Sequence, residues 1–419
     1  MALIVMKFGG SSVGDAERMK RVAGRVVERH REGHQCVVVV SAMGDTTDDL
    51  IDLTKQIGVT APPAREMDML LSTGEQVSVA LLAMTIHTLG ESAVSFTGWQ
   101  AGIFTEAVHA KARITDIQPA RVRQALDDRK IVIVAGFQGM TAEGEITTLG
   151  RGGSDTTAVA LAAAIEADVC EIFTDVEGVY STDPRIVKCA RKLNEISYDE
   201  MLELANLGAA VLHPRAVEYA KNYKVQLVVR SSFNYNEGTN VKEEAAMEQG
   251  IVVRGIAYDK NVARISILGV EEKPGQLAKV FTALAKEQID VDIIVQSGVT
   301  NVSADFSFTV SLNDLDKALQ TLESIRNTVG YREITSENNL VKVSIVGAGM
   351  VSTPGVAAKM FETISDLGIS ILMVSTSEIK TSCVIENEGR LNEVVQALHT
   401  AYGLDTDSTV FVGGPADRR

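Results

Sequence analysis

Three segments of this chain combine charged side chains with paired glycines or hydroxyls, a composition that suits phosphate binding. The first contains Lys7, Gly9 and Gly10, and it follows a short apolar stretch, residues 2–6. Glycines let backbone N–H groups approach a polyphosphate closely, a lysine adds a full positive charge, and the helical spacing of residues 15–31 adds a helix N-terminus. The pattern also fits plain chain reversal, because neither GxxxxGK[ST] nor a proper GxGxxG is present here.

The second segment, Gly150–Asp155, reads Gly-Arg-Gly-Gly-Ser-Asp and precedes an alanine-rich helical pattern over residues 158–167. Ser154 or Asp155 is expected to cap that helix, while the paired glycines open backbone donors toward an anion. Arg151 adds a bidentate clamp suited to a carboxylate or a phosphate. An ordinary helix cap after a glycine loop is the alternative, but two such loops, each with a cation, favour an anion site.

The third segment, residues 173–185, follows a predicted strand and is rich in aromatic, hydroxyl and charged residues. It offers an aromatic face for a nucleotide base, with Asp175 and Arg185 for ribose or phosphate contacts. A turn-rich connector is the alternative, because Gly and Asp-Pro punctuate loops in any case.

Two isolated ionisable residues complete the set of candidates. Glu75 lies inside an apolar helical pattern, and a buried carboxylate is costly without a partner, so it either meets an internal cation or binds a cationic ligand such as an α-ammonium group. His213 precedes Pro214 and has no carboxylate or nucleophile pattern beside it, which favours a structural histidine over a general base.

The elements that must position these residues alternate between strands and helices up to about residue 230, which predicts a parallel sheet covered by helices. Ligands collect at the carboxyl ends of such strands, so the polar segments are expected to share one crevice. The strand candidates are Ala2–Met6, Cys36–Val40, Ala93–Phe96, Ile131–Ala135, Cys170–Phe173 and Val225–Val229.

The remainder of the chain contains an internal repeat. Ile265–Gly269 recurs as Val343–Gly347, and Pro274-Gly275 recurs as Pro354-Gly355. Each copy has the pattern βαββαβ, which predicts two small α+β domains. The expected organisation is a catalytic domain over residues 1–235, a connector over 236–260, and repeated domains over 261–335 and 340–415.

The composition limits the kinds of molecule that this protein is expected to bind. A net charge of −15 argues against a nucleic-acid or anionic-membrane partner, because the overall field repels both. The four cysteines form no CxxC pair, so neither a zinc site nor a disulfide framework is indicated. No basic N-terminal region followed by an apolar core is present, and a reducing cytoplasm fits best.

Together, the segments Lys7–Val13, Gly150–Asp155 and Thr174–Arg185 resemble the aspartate kinase family, and the resemblance extends over nearly the whole chain. It implies an N-terminal αβα sandwich of the amino-acid kinase fold and two C-terminal ACT domains. It also implies ATP-dependent phosphorylation of the β-carboxylate of L-aspartate, with Mg²⁺ carried by ATP and no protein metal site. A carboxylate is already ionised at neutral pH, so such a transfer needs alignment and charge neutralisation rather than a general base.

The resemblance assigns roles to individual residues. Lys7, Glu75, Arg151 and Asp155 become the catalytic residues. The implied ATP site consists of Lys7, Phe8, Gly9, Gly10, Ser41, Ser154, Thr174, Asp175, Tyr180, Asp183 and Arg185. The implied aspartate site consists of Thr47, Glu75, Arg151, Gly152, Gly153 and Ser154, with Glu75 on the ammonium group and Arg151 on a carboxylate. One position departs from the family pattern, because Ala210 occupies the place of a lysine near the nucleotide.

For the ACT pair, the resemblance implies lysine or threonine, or both together, as effectors bound where strand-to-helix turns meet a partner copy. Plain turns and strand ends are the alternative. The residues are Lys273, Pro274, Gly275, Gln276, Gln296, Ser297, Gly298, Thr353, Pro354, Gly355, Val356, Ser375, Thr376, Ser377 and Glu378. A homo-oligomer is expected, or a hetero-oligomer with a small ACT-only subunit started at Met247. The competing hypotheses are a related kinase with another carboxylate substrate and a catalytically impaired amino-acid sensor.

Overall fold

The computed structural model describes residues 1–59, 61–208, 211–243, 252–271, 273–297, 303–350 and 353–405. The chain divides into two compact units. Unit 1 comprises Met1–Val179, Lys192–Asn206 and Ala210–Ala246, and unit 2 comprises Tyr180–Arg191, Leu207–Ala209 and Met247–Arg419. Three residues discussed above, Ala210, Met247 and Gly298, lie outside the described residues.

Unit 1 alternates strands and helices, as the sequence predicts. In chain order its elements are β1 (Leu3–Phe8), α1 (Ala16–Arg31), β2 (Gln35–Val40), α2 (Thr46–Gln56), α3 (Ala64–Thr88), β3 (Ala93–Phe96), β4 (Ile103–Thr105), β5 (Ile114–Ile117), α4 (Ala120–Asp127), β6 (Ile131–Ala135), β7 (Gln138–Met140), β8 (Ile146–Thr148), α5 (Gly153–Ile165), β9 (Val169–Thr174), β10 (Glu195–Ser197), α6 (Tyr198–Asn206), α7 (Pro214–Tyr223), β11 (Leu227–Ser231) and β12 (Thr239–Lys242).

The main sheet of unit 1 has the strand order β10, β12, β11, β9, β1, β2, β6, β3 among the described residues. All neighbours in it pair in parallel except β11 and β12. The six strand candidates from the sequence all lie in this sheet, which confirms the αβα fold class. Strands β2 and β6 are buried along almost their whole length, as parallel strands covered on both faces must be.

Helix α1 shows how the sequence builds one covering layer. The Asp15 side chain accepts a hydrogen bond from the Arg18 N–H and so caps the helix. Its inner face buries Met19, Val22 and Val26 against the sheet. Burying each such side chain contributes about 1.5–3 kcal/mol.

Helix α3 is long and apolar enough to cross a membrane by length and composition alone. Its inward face nevertheless carries two carboxylates, Asp68 and Glu75, which are almost fully buried inside unit 1. Both accept hydrogen bonds from other parts of the unit. The helix is therefore the element that brings buried negative charge to the interior of unit 1.

Unit 2 contains the repeated part of the chain. Its described elements are β13 (Gly255–Glu271), α8 (Gln276–Lys286), β14 (Val291–Ser297), β15 (Ser303–Val310), α9 (Leu315–Ser324), α10 (Arg326–Val329), β16 (Glu333–Val346), α11 (Val356–Asp366), β17 (Ile371–Thr376), β18 (Lys380–Glu386) and α12 (Leu391–Ala401). The six strands among them form one sheet in the order β14, β15, β13, β16, β18, β17.

The two repeats are interleaved through their long strands. The second half of β13 pairs with β15, and residues 264–268 pair with residues 333–337 of β16. The first part of β13, residues 255–259, pairs instead with residues 342–346 of β16. Residues that precede the first repeat thus add a strand beside the second repeat.

The predicted connector over residues 236–260 is therefore structured at both ends. Thr239–Lys242 form a strand of unit 1, and the residues from Gly255 onward belong to β13 of unit 2. The physical reason is that both ends supply backbone partners for sheets whose edges would otherwise be unpaired.

Residues Tyr180–Arg191 follow β9 of unit 1 but pack in unit 2. Val187 belongs to the same core cluster as α11 and α12. The Ser181 hydroxyl lies 2.9 Å from Nε2 of His399, a fully buried residue of α12, and also accepts a hydrogen bond from the Arg191 N–H. This segment is therefore fixed to the last described helix of the chain.

We expect the stability of unit 2 to fall as the pH drops below about 6.5. Burial lowers the pKa of His399 below its ordinary value, so the folded protein keeps the imidazole neutral. As the pH falls through the unfolded-state pKa, the unfolded chain binds a proton that the folded chain does not, and this proton uptake favours unfolding. Thermal melts in one buffer series at about pH 8 and about pH 5.5 measure the loss.

The variant His399→Gln supplies the control for this prediction. Glutamine keeps an N–H for the Ser181 hydroxyl but does not titrate, so its melting temperature should depend less on pH than that of the wild type. Equal pH dependence in the two proteins would contradict the prediction.

Candidate active site

An ion pair stands at the centre of the candidate site. The Lys7 ammonium on β1 lies 2.6 Å from a carboxylate oxygen of Asp155, in the first turn of α5, and both side chains are only 12% exposed. The first and second glycine segments thus meet in space, as the sequence predicts.

The turn after β1 makes a close backbone contact with the turn after β2. A Cβ on Gly10 would lie 2.9 Å from the Ala42 carbonyl oxygen, and the Gly44 N–H donates to the Gly10 carbonyl at 3.1 Å. Only glycine fits this approach. Ser41 joins the same contact, because its N–H donates to the Phe8 carbonyl at 3.1 Å.

The structure adds detail to two expectations for this turn. The α1 N-terminus is occupied by its own cap, Asp15, which also forms an ion pair with Arg18, so it offers no open anion site to the glycines. The Phe8 side chain stacks on Phe173 in the core, with ring centroids 4.6 Å apart, so only the Phe8 backbone is at this edge.

The open helix N-terminus belongs to α5. Neither Ser154 nor Asp155 caps this helix, contrary to the sequence expectation: the N-cap is Gly152, with φ +66°, and no side chain caps it. The first N–H of the helix, on Gly153, donates to the Gly150 carbonyl at 3.0 Å, and no hydrogen bond is recorded for the next two, on Ser154 and Asp155, among the described residues. Ser154 packs against Gly136 at the end of β6, where a Cβ would come within 2.7 Å of its hydroxyl. The turn therefore combines a helix dipole with the Lys7 charge.

Glu75 meets no internal cation among the described residues, which leaves the ligand alternative from the sequence. One of its carboxylate oxygens accepts a hydrogen bond from the Ala42 N–H at 3.1 Å, and the other is buried with no partner in the described part of the chain. Burial raises the pKa of Glu75 to about 7, although the hydrogen bond from Ala42 opposes the shift. A cationic group bound here would restore the ionised form.

We expect the KM for an ammonium-bearing substrate to rise as the pH falls through about 7. Only ionised Glu75 attracts a cation, and protonation removes that charge as the pH drops. Steady-state kinetics between about pH 6 and pH 8 test the prediction, with the KM for ATP as the internal comparison. The same pH dependence in Glu75→Gln would show that another group is responsible.

Two further residues predicted for the site are Thr47 and Arg151. Thr47 is half-buried in the first turn of α2, the helix after the Gly44 turn. Arg151 is exposed in the turn before α5, and no ion pair is recorded for it among the described residues. Arg151 is thus available to a bound anion, as the sequence predicts, although its role stays a prediction.

No pattern in the sequence indicates the buried hydrogen bonds that support this turn. Asp68 of α3 is fully buried and accepts hydrogen bonds from the Thr148 hydroxyl at 2.6 Å and from His109 Nδ1 at 2.7 Å. Thr148 ends β8, two residues before Gly150. The carboxylate therefore fixes the strand from which the second glycine segment emerges, across 80 residues of sequence.

The third segment is split between the two units. Thr174 and Asp175 belong to unit 1, where the Thr174 hydroxyl donates to Asp175 at 2.9 Å. Tyr180, Asp183 and Arg185 belong to unit 2.

Within unit 2, Arg185 pairs with Asp183 at 2.8 Å, and the Tyr258 hydroxyl donates to the same carboxylate at 3.1 Å. The Arg185 hydrogen bond is the main cause that lowers the pKa of Asp183. The nucleotide roles of Asp183 and Arg185 stay predictions.

The predicted effector residues fall on equivalent parts of the two repeats. Gly275 and Gly355 both have φ +92° and are the N-caps of α8 and α11. Gln296 and Ser297 end β14, while Ser375 and Thr376 end β17. The repeat thus reproduces the same turn geometry twice.

Some of these effector candidates are unsuited to direct ligand contact through their side chains. The Gln276 amide donates to the Val329 carbonyl at 2.8 Å and is buried, and Val356 lies in the core of the second repeat. Lys273 forms an ion pair with Glu271. Gln276 and Val356 are the first residues of α8 and α11, and both lie on the buried faces of these amphipathic helices.

Comparison with known proteins follows the same division of the chain. Residues 2–231 match the amino acid kinase family, and residues 263–327 and 343–402 each match an ACT domain. An aspartokinase from Geobacillus stearothermophilus is 58% identical over 404 residues, which cover 96% of this chain and 98% of the relative. The chain belongs to the aspartokinase family.

Solved aspartokinase structures share the fold. E. coli aspartokinase III in complex with aspartate and ADP, in its R-state, superposes with a TM-score of 0.80 at 27% identity, covering 95% of this chain and 99% of that chain. The same enzyme in complex with lysine and aspartate, in its T-state, gives a TM-score of 0.73 at 26% identity with the same coverage. Both domains of the aspartokinase architecture, the kinase fold and the ACT pair, are therefore present here.

Proposed function

We propose that this member of the aspartokinase family transfers the γ-phosphoryl group of ATP to the β-carboxylate of L-aspartate, giving 4-phospho-L-aspartate. The observation that carries the proposal is the Lys7–Asp155 pair beside the uncapped N-terminus of α5. Membership of the family and the titles of the two E. coli complexes, which name aspartate, ADP and lysine, support the choice of substrates. The reaction would open the synthesis of lysine, threonine and methionine.

The proposed catalytic residues have two roles, neutralising phosphate charge and orienting the substrates. Lys7 holds phosphate oxygens with the backbone of Gly9 and Gly10, while Asp155 and Ser154 organise the reacting end. Because the attacking carboxylate is already ionised, these groups must align it and offset the charge that builds up during transfer. Mg²⁺ carried by ATP would supply further neutralisation of the phosphate charge.

Aspartate binding rests on complementary charge. The buried, unpartnered oxygen of Glu75 suits the α-ammonium group, and the exposed Arg151 suits a carboxylate. Thr47 lies on the neighbouring helix α2 and completes the proposed pocket.

Incubation of the full chain with ATP, Mg²⁺, hydroxylamine and one acceptor at a time tests the proposal. The acceptors are aspartate, glutamate and acetylglutamate. Formation of aspartyl hydroxamate is the expected result, whereas product with another acceptor alone would favour a related kinase. ATP binding without turnover at saturating aspartate would favour an amino-acid sensor.

We also propose regulation by lysine or threonine through the ACT pair, in an oligomer located in the cytoplasm. The limits proposed from the sequence, 1–235 for the kinase domain and 261–335 and 340–415 for the ACT domains, define the parts involved. A matrix of initial rates with lysine, threonine, methionine, and lysine plus threonine identifies the inhibitor. An intact-mass spectrum of protein expressed from the native gene shows whether a second chain starts at Met247.

A further inference from the structure

The N-terminus of α7 packs directly against the turn that precedes α5. A Cβ placed on Gly152 would lie 2.1 Å from Cγ and 2.4 Å from Cδ2 of His213, so the imidazole fills the space beside this glycine. The neighbouring Arg215 donates to the Leu149 carbonyl at 2.9 Å. The first turn of α7 therefore holds the same loop that carries Arg151, and His213 covers the cap of α5.

The hydrogen bonds of His213 determine where its proton resides. As the N-cap of α7, Nδ1 accepts a hydrogen bond from the Arg215 N–H at 3.3 Å, which requires a lone pair on Nδ1. Burial lowers the pKa of His213 below its ordinary value, so the ring is neutral near pH 7. The one ring proton then sits on Nε2, which makes Nε2 a hydrogen-bond donor.

The ring that carries this donor lies against Gly152, in the turn between Arg151 and α5. Nε2 is bonded to Cδ2, one of the three atoms that a Gly152 Cβ would overlap. Two charged groups act on the ring, Asp155 of α5 and Arg215 of α7. Asp155 in turn pairs with Lys7, so the imidazole belongs to the same cluster as the central ion pair.

We propose that His213 contacts the substrate, and that its Nε2–H donates a hydrogen bond to an oxygen of the phosphoryl group during transfer. This inference rests on the proposed function and adds a residue to its site. The lysine expected at position 210 is an alanine in this chain, and His213 supplies a donor three residues further on.

The chemical step keeps the proton on His213. The bond between the γ-phosphorus and the oxygen that bridges to ADP breaks, and a bond forms between that phosphorus and an oxygen of the β-carboxylate. ADP leaves with the bonding electron pair, and no proton is transferred. A fixed N–H directed at oxygens that gain charge in the transition state stabilises that state more than the bound substrates.

Two substitutions separate the donor role of His213 from its structural role. His213→Asn keeps an acceptor for the Arg215 N–H, because asparagine is a good N-cap, but it has no donor at the position of Nε2. His213→Gln places an amide N–H near the position of Nε2 and weakens the cap. The pair therefore removes one function at a time.

We expect kcat of His213→Asn to fall roughly a hundredfold, with an unchanged melting temperature. His213→Gln should keep kcat within about tenfold of the wild type but melt about 2–4 °C lower, because the cap is weakened. ADP lacks the transferred group, so the Kd for ADP measured by calorimetry should stay within about twofold in both variants.

Three results would overturn the inference. They are a kcat of His213→Asn within about twofold of the wild type, a greater loss of kcat in His213→Gln than in His213→Asn, and a loss of ADP affinity that parallels the loss of kcat. Wild-type hydroxamate formation is measured in the same series. If the wild type itself forms no aspartyl hydroxamate, the proposed function fails, and that outcome is distinct from equal activity of wild type and variant.

Discussion

Lys7→Ala should lower kcat by at least about a hundredfold while the ACT repeats still bind their effector. Lys7 is the cation that touches Asp155, at 2.6 Å, in the first turn of α5. Alanine removes a full charge from the place where phosphate charge develops. The rate of aspartyl hydroxamate formation and calorimetric titration with lysine or threonine measure the two effects separately.

The loss of Lys7 also leaves Asp155 buried without its counter-ion, which destabilises the folded state. Asp155→Asn in the Lys7→Ala background removes that unpaired charge, so it should recover melting temperature without recovering turnover. Lys20→Ala is the matched control, because Lys20 is an exposed lysine on α1 paired with Glu17. Near-native turnover in Lys7→Ala would show that the first glycine segment is no phosphate site.

The fold of unit 1 is largely readable from the sequence, because hydrophobic runs and helical spacing report local burial. The apolar run Ile131–Ala135 predicts strand β6 with its observed limits, and the helical spacing of residues 15–31 predicts α1 to within one residue. The alternation of such runs then implies a parallel sheet. The meeting of Lys7 with Asp155 follows from the same rule, since both sit near the carboxyl edge of that sheet.

The buried contacts that hold the site in place cannot be predicted from local patterns in this way. Asp68 contacts Thr148 across 80 residues of sequence, and His213 contacts Gly152 from a different helix, yet no local pattern in either segment indicates the partner. His213 looked structural because no carboxylate stands beside it in the sequence. The fold supplies that carboxylate from α5, as Asp155.

The strand pairing between the two ACT repeats cannot be predicted from the sequence for the same reason. Alternating apolar residues identify a strand but not its partner, and residues 255–259 pair with residues 342–346 rather than with their own repeat. The helix cap was misassigned for a local reason. Ser154 and Asp155 are favourable caps by residue type, but the N-cap of α5 is the left-handed Gly152, two and three residues before them.

Gly152→Ala should reduce turnover at least about a hundredfold and lower the melting temperature. Its backbone φ of +66° costs an L-residue about 1–2 kcal/mol, and the new Cβ would stand 2.1 Å from Cγ of His213. Gly144→Ala is the matched control: Gly144 has φ +90° with nothing within 4 Å, so it reports the backbone cost alone. Melting curves and hydroxamate assays on both variants separate the cost of the left-handed backbone from the effect of contact between the new Cβ and His213.

Combining Gly152→Ala with His213→Gly completes the test, because glycine removes every His213 atom that the new Cβ would meet and still serves as an N-cap. If collision with the ring causes the instability, the double variant melts higher than Gly152→Ala alone, and the two substitutions are non-additive. Turnover should remain low in the double variant, because the Nε2 donor is absent. If the changes in melting temperature of the two single variants add in the double variant, the loop has moved away from His213 in solution. That result would exclude the packing of the imidazole over the α5 cap.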